Sequence, residues 1–207
     1  MSLMKSLRVW WHGFNTRRKM DRVFSRGEDP YHYADSPYER ARLDAMQASL
    51  GPCALALEVG CAEGLFTERL ATLAEAVVAV DISSVALERA RKRCPKATFA
   101  EADLRRWSPQ GGASFDAIVL GDVLYYLDKP LVQDEFHATF PRVAGWLKSG
   151  GTLLLAHGFA GPQERAHREG FRKRFESEGL ALVSERVVGD GEPDGKVCCL
   201  LSLLRKP

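Results

Sequence analysis

The stretch Leu55-Ala-Leu-Glu-Val-Gly-Cys-Ala-Glu-Gly64 decides the fold. Leu55, Leu57 and Val59 form a short apolar run of the kind a parallel strand buried on both faces requires. Gly60, Ala62 and Gly64 follow at a spacing of two, and from Leu65 to Ala74 apolar and polar residues recur at helical period. Strand, tight small-residue turn and helix, in that order, open a doubly wound α/β domain whose ligand lies over the carboxyl end of the first strand. The next apolar run, Ala76-Val-Val-Ala-Val80, ends on Asp81, where a carboxylate can take two ribose hydroxyls.

The turn also selects among nucleotide-like ligands. The dinucleotide fingerprint G-x-G-x-x-G seats a pyrophosphate on the helix N-terminus. Here the small residues stand one position tighter, and Glu63 occupies a place where a phosphate needs N–H groups and no negative charge. Glu58 lies at the end of the strand, with Asp81 nearby in a doubly wound order. An acidic turn repels a diphosphate and attracts a cation. S-adenosylmethionine carries a sulfonium and an ammonium and no phosphate, so the local charge favours it over a nicotinamide dinucleotide.

The rest of the chain extends the pattern. Leu7, Trp10, Trp11, Phe14 and Phe24 lie among basic residues, and burial of such aromatics predicts a helix or lid packed on the domain. Arg26-Gly-Glu-Asp-Pro30 reads as a turn, and a helix over 37–50 is stopped by Gly51-Pro52. Strands are expected over 54–59, 76–80, 97–100, 115–120, 152–156, 180–188 and 196–204. Helices are expected over 63–74, 84–93, 130–147 and 162–178. Ser83 or Ser84 caps the helix that ends before Pro95. The turn-rich segment Gly189-Asp-Gly-Glu-Pro-Asp-Gly195 predicts an antiparallel hairpin of the last two strands.

Glu58-x-Gly60-x-Ala62-x-Gly64, then Asp81, Asp103, Phe115-Asp-Ala-Ile-Val-Leu120 and Leu147-Lys-Ser-Gly-Gly-Thr-Leu-Leu-Leu155, resemble a class I S-adenosylmethionine-dependent methyltransferase over residues 28–207. The resemblance implies a Rossmann-like seven-stranded sheet of order 3-2-1-4-5-7-6, with strand 7 antiparallel and helices on both faces. A narrower resemblance, to the nodulation N-methyltransferase (nodulation protein S) family, is carried by Asp29-Pro-Tyr-His-Tyr33, Ser36-Pro-Tyr-Glu39, Leu57-Glu-Val-Gly-Cys61 and Val123-Leu-Tyr-Tyr-Leu127. It implies a helical cap over 1–50 on a cofactor-binding domain over 51–207, together one domain.

By that resemblance Glu58, Gly60, Cys61, Ala62 and Gly64 shape the methionine end of the cofactor site, with Gly121 at the end of the fourth strand. Asp81 holds the ribose, Ile82 lies against the adenine, Asp103 accepts from the adenine amine and Leu104 offers a backbone N–H. Tyr31, Tyr33, Tyr38, Glu39, Tyr125 and Tyr126 are the expected acceptor contacts, and Asp122 and His157 the candidate proton acceptors. Plain alternatives stand beside these roles. Asp81 also suits a helix cap, Asp103 a surface loop and His157 a satisfied core histidine, and the tyrosines also suit packing of a lid. The expected acceptor is the free amine of a deacetylated amino sugar or oligosaccharide. The alternatives are O-methylation of a small metabolite or saccharide hydroxyl and, in another class, a non-catalytic scaffold that binds S-adenosylmethionine.

Composition bounds the partners. The chain has 207 residues and a net charge of +2, but residues 1–26 carry seven bases against Asp21, leaving the remainder acidic. That basic arm suits a solvated helix face or contact with an acidic substrate, membrane or nucleic acid. The segment Asp122-Val-Leu-Tyr125 lacks the Pro-Pro turn that presents acceptors to a planar nucleobase amine, and no nucleic-acid partner is expected. Five cysteines without a C-x-x-C pair read as reduced thiols of a cytoplasmic protein, with no metal site. No apolar run suits stable membrane insertion, and the oligomeric state is left open.

Overall fold

The computed structural model describes residues 3–33, 35–189 and 197–207, with backbone alone for 3–6. Its centre is a seven-stranded sheet of order β3-β2-β1-β4-β5-β7-β6. The strands are β1 (Cys53–Val59), β2 (Ala74–Asp81), β3 (Thr98–Glu101), β4 (Phe115–Gly121), β5 (Leu147–Phe159), β6 (Ala181–Val188) and β7 (Cys198–Arg205). The first five pair in parallel, and β7 runs antiparallel to both β5 and β6, which is the expected class I methyltransferase sheet.

The apolar runs are continuous because helices cover both faces. Leu57 and Val59 point to one face, packed under Phe136 and Phe140 of α6 (Gln133–Trp146) and Phe171 and Phe175 of α7 (Pro162–Ser177). Ala56, Val77 and Val119 point to the other, under Leu43 and Met46 of α2 (Pro37–Ala48) and Phe66 and Leu70 of α3 (Leu65–Leu70). Leu87 of α4 (Ser84–Arg93) meets Ala79 beside them. The order of the sheet reverses between β1 and β4, so a crevice opens over their carboxyl ends.

Several boundaries differ from expectation. The helix after the Gly60 turn is six residues long, because the chain turns at Ala71 to start β2 at Ala74. A one-turn helix, α5 (Leu124–Leu127), was not expected; four residues are too few to show a period. The helix expected over 130–147 begins as a 3₁₀ turn at Pro130–Val132. The expected turn Lys148-Ser-Gly-Gly151 is absorbed into the start of β5, where Gly150 and Gly151 exchange hydrogen bonds with Lys206. The loop of the β6–β7 hairpin lies outside the described residues from Asp190 to Lys196.

The amino-terminal segment is a long helix, α1 (Leu3–Phe24), laid across the carboxyl ends of β2 and β3. It is held by Ser83, whose hydroxyl donates to Asp21 at 2.7 Å, and by the Arg17–Glu101 ion pair at 2.8 Å. Gly13 makes the approach possible, since a Cβ there would lie 2.7 Å from an Asp103 carboxylate oxygen. The expectation that all its aromatics are buried fails. Val9 and Phe24 are buried, but Leu7, Trp10, Trp11 and Phe14 remain between 43% and 58% exposed, because only one side of a straight helix can meet the domain.

Candidate active site

The turn after β1 explains its small residues. Gly60, Ala62 and Gly64 have φ of +82°, +47° and +81°, so the chain enters the left-handed region at every second residue. At Gly60 a Cβ would stand 2.4 Å from a Val123 methyl and 2.8 Å from the Gly121 carbonyl oxygen, which lets the ends of β1 and β4 close together. At Gly64 a Cβ would press on Ala90, so this glycine serves the contact with α4. Asp81 receives the Ala62 N–H at 2.9 Å and the Ser83 N–H at 2.8 Å, fixing the turn to the end of β2. Burial pushes its carboxyl above the ordinary range, against the pull of those N–H groups.

A cleft of about 210 Å³ opens over these strand ends. Of the cofactor set, it is lined by Gly60, Ala62, Asp81, Ile82, Asp103, Leu104 and Gly121. Glu58 and Cys61 lie instead beside a smaller adjoining hollow, and Gly64 lies behind the turn. Of the acceptor set, Tyr31, Tyr33, Glu39, Tyr125 and Tyr126 line the cleft. Tyr38 does not, because its ring is packed over Gly189 at the end of β6. Thr16, Met20 and Phe24 of α1 complete one wall.

The cleft is acidic, but through different residues from those of the turn itself. Glu63 was expected to face a cation. It is 2% exposed and satisfied by the Arg89 guanidinium and the Asp29 N–H, so it presents no charge to the cleft. Glu58 is buried against the Thr67 hydroxyl, which donates to it at 2.6 Å, and burial raises its carboxyl to about 7. The carboxylates that do line the cleft are Glu39, Asp81, Asp103 and Asp122, and no Lys, Arg or His is among the described residues lining it. Asp103 is forked by Arg105, with Nε at 2.9 Å.

Asp122 takes φ of +50°, a left-handed conformation that Asp tolerates better than most residues. One carboxylate oxygen accepts the Gly158 N–H at 2.7 Å and the other is paired with Arg42. The same guanidinium reaches Glu39 at 3.3 Å. Burial raises the Glu39 carboxyl, while Arg42 opposes the rise. Arg42 was missed in the sequence. Its one local signal is the spacing Glu39-x-x-Arg42 on a helix, and its partner Asp122 lies 80 residues further on.

His157 does not reach the cleft. It is 1% exposed, set between the rings of Tyr125 and Phe171 at centroid distances of 6.1 and 5.4 Å. Burial lowers its imidazole to about 4, so it is neutral near pH 7. The Leu124 N–H donates to its Nε2 at 3.5 Å.

Sheet order, left-handed turn and carboxylate-lined cleft together define a class I S-adenosylmethionine-dependent methyltransferase. The family model for nodulation protein S (NodS) matches residues 17–206, and the chain belongs to that family. It is 37% identical over 178 residues to the nodulation protein S of Bradyrhizobium diazoefficiens, covering 83% of this chain and 79% of that protein. To the Rhizobium tropici nodulation protein S it is 37% identical over 182 residues, covering 84% and 74%. Among solved structures, the N-methyltransferase NodS of Bradyrhizobium japonicum WM9 in complex with S-adenosyl-L-homocysteine superposes with a TM-score of 0.78. The identity there is 27%, over 93% of this chain and 99% of that one.

Proposed function

We propose that this methyltransferase acts on the free amine of a deacetylated amino sugar or chitooligosaccharide. The observation that carries the proposal is the acceptor end of the cleft. It joins Glu39 and Asp122, bridged by Arg42, with Tyr31, Tyr33, Tyr125 and Tyr126, and has no near-neutral histidine within reach. Carboxylates attract an ammonium group, and tyrosine rings lie against sugar faces while their hydroxyls meet sugar hydroxyls.

The residues fit a cationic cofactor without phosphate, because the cleft offers carboxylates and no basic side chain. Asp81 takes the ribose hydroxyls, and Ile82, Asp103 and Leu104 take the adenine. The turn at Gly60 and Ala62, with Gly121, bounds the methionine end. S-adenosylmethionine supplies an electrophilic methyl carbon and leaves as neutral S-adenosylhomocysteine.

The chain's own work is orientation and a proton. Holding the amine nitrogen in line with the methyl carbon provides much of the rate. An amine attacks only through its free lone pair, so the ammonium form must first lose a proton. Glu39, raised by burial and facing the cleft, receives it, while Asp122, paired with Arg42, holds the amine. A sugar hydroxyl is far less acidic and needs a stronger base than this cleft provides. Residues 1–50 act as a cap, since α1, Tyr31, Tyr33 and Glu39 wall the cleft.

The test incubates the protein with S-adenosylmethionine and matched acetylated and deacetylated chitooligosaccharides, and reads product masses. Gain of one CH₂ on the deacetylated set alone is expected. Gain on both sets would make a hydroxyl the acceptor. Gain on neither, with S-adenosylhomocysteine still bound by calorimetry, would remove the amino sugar and leave the methyltransferase.

A further inference from the structure

The outer side of α1 takes no part in the cleft. The inner side is committed, with Thr16, Met20 and Phe24 on the cleft and Asp21 on Ser83. Outside stand Leu7, Trp10, Trp11 and Phe14, at spacings of three and four that place them on one stripe. The rings of Trp10 and Phe14 stack at 5.5 Å and 11°, and both side chains stay about half exposed. Arg18 and Arg22 continue the stripe at steps of four from Phe14, and Lys19 flanks them; all three are exposed. The Arg18 guanidinium lies over the Phe14 ring at 5.6 Å. The first acidic residue of the chain is Asp21, and it is turned inward.

We propose that this face docks reversibly on an anionic phospholipid bilayer. It presents two tryptophans, a phenylalanine and a leucine ahead of three cations, and the one acidic residue of α1, Asp21, is turned inward. Indole and phenyl rings favour the headgroup boundary, and Lys and Arg extend their charged ends to lipid phosphates while their stems cover apolar surface. No helix among the described residues is long and apolar enough to cross a membrane, so the contact is peripheral. Docking holds the cleft beside the bilayer, since the same helix forms one of its walls.

The test is co-sedimentation of the full chain with phosphatidylcholine vesicles with and without phosphatidylglycerol, at low and high salt. Binding should be at least tenfold stronger to the anionic vesicles and should fall with salt. Each cation near an anionic surface contributes about fivefold, so Arg18→Gln, Lys19→Gln and Arg22→Gln together should cost on the order of a hundredfold. Trp10→Ser with Trp11→Ser should weaken binding at an unchanged melting temperature. Brominated acyl chains should quench tryptophan fluorescence in the unaltered protein, which tests seating without any variant. The proposal is overturned by equal binding to both vesicle types, by binding to neither, or by a charge variant that binds like wild type. It is also overturned by absence of quenching, by a dimer that the tryptophan variant abolishes, or by retention on an oligonucleotide but not on vesicles.

Discussion

Replacing Glu58 by glutamine tests the electrostatics of the strand end directly. Glu58 is buried, its side-chain partner among the described residues is the Thr67 hydroxyl, and burial raises its carboxyl from 4.5 to about 7. A carboxyl whose folded pKa exceeds its unfolded one favours the native state when protonated. Its contribution is intact below about 4.5 and is lost as pH rises through about 7. At 1.36 kcal/mol per unit, the full loss is about 3 kcal/mol, most of it between pH 5 and pH 9. Glutamine has nothing to ionise and keeps an oxygen for Thr67. Any fixed cost of its buried NH₂ is the same at every pH and drops out of the comparison. The assay is urea or thermal unfolding of both proteins from pH 5 to pH 9. The stability difference should move by about 2–3 kcal/mol in favour of the variant as pH rises, about 5–10 °C in Tm for a chain of this size. A difference that stays flat across that range would refute the buried, uncompensated carboxylate.

Three further outcomes follow from the site. Gly60→Ala meets Val123 and the Gly121 carbonyl in a left-handed conformation. It should cost about 2–4 kcal/mol by unfolding and weaken S-adenosylhomocysteine binding more than tenfold by calorimetry; unchanged affinity would take the turn out of the cofactor site. Arg42→Met should cost about 3–5 kcal/mol, because Asp122 is left without its cation, and adding Asp122→Asn should recover at least about 1 kcal/mol. Strict additivity in the unfolding cycle would deny the pairing. His157→Gln should lower Tm and leave kcat within about threefold, the loss being one of core packing; a hundredfold loss of kcat at unchanged Tm would restore histidine as the base.

The architecture was legible because its signals are local. Apolar runs such as Leu55–Val59 and Ala76–Val80 were found in place, and the small residues at 60, 62 and 64 mark three left-handed positions. Of the two candidate caps, Ser83 and Ser84, it is Ser83 that caps α4. Short elements were less visible. The turn of α5 has no period to read, and the glycine pair at 150 and 151, normally a sign of a turn, is held in the strand by partners at the far end of the chain.

Which side chains share the cleft was decided by the tertiary structure. The sequence by itself marked Asp81 and Gly60 as parts of the site, since the end of an apolar run and the turn that follows have only one place in a doubly wound sheet. It also attributed the negative charge of the turn to Glu63 and Glu58, and proton transfer in part to His157. Folding brings Arg89 onto Glu63, buries Glu58 beside Thr67 and seals His157 behind Tyr125. It also carries Arg42 from α2 to Asp122, at the end of β4. The role of an ionisable group depends on whether it meets water, an opposite charge or hydrocarbon, and its neighbours in space come from elements that the spacing of residues along the chain does not reveal.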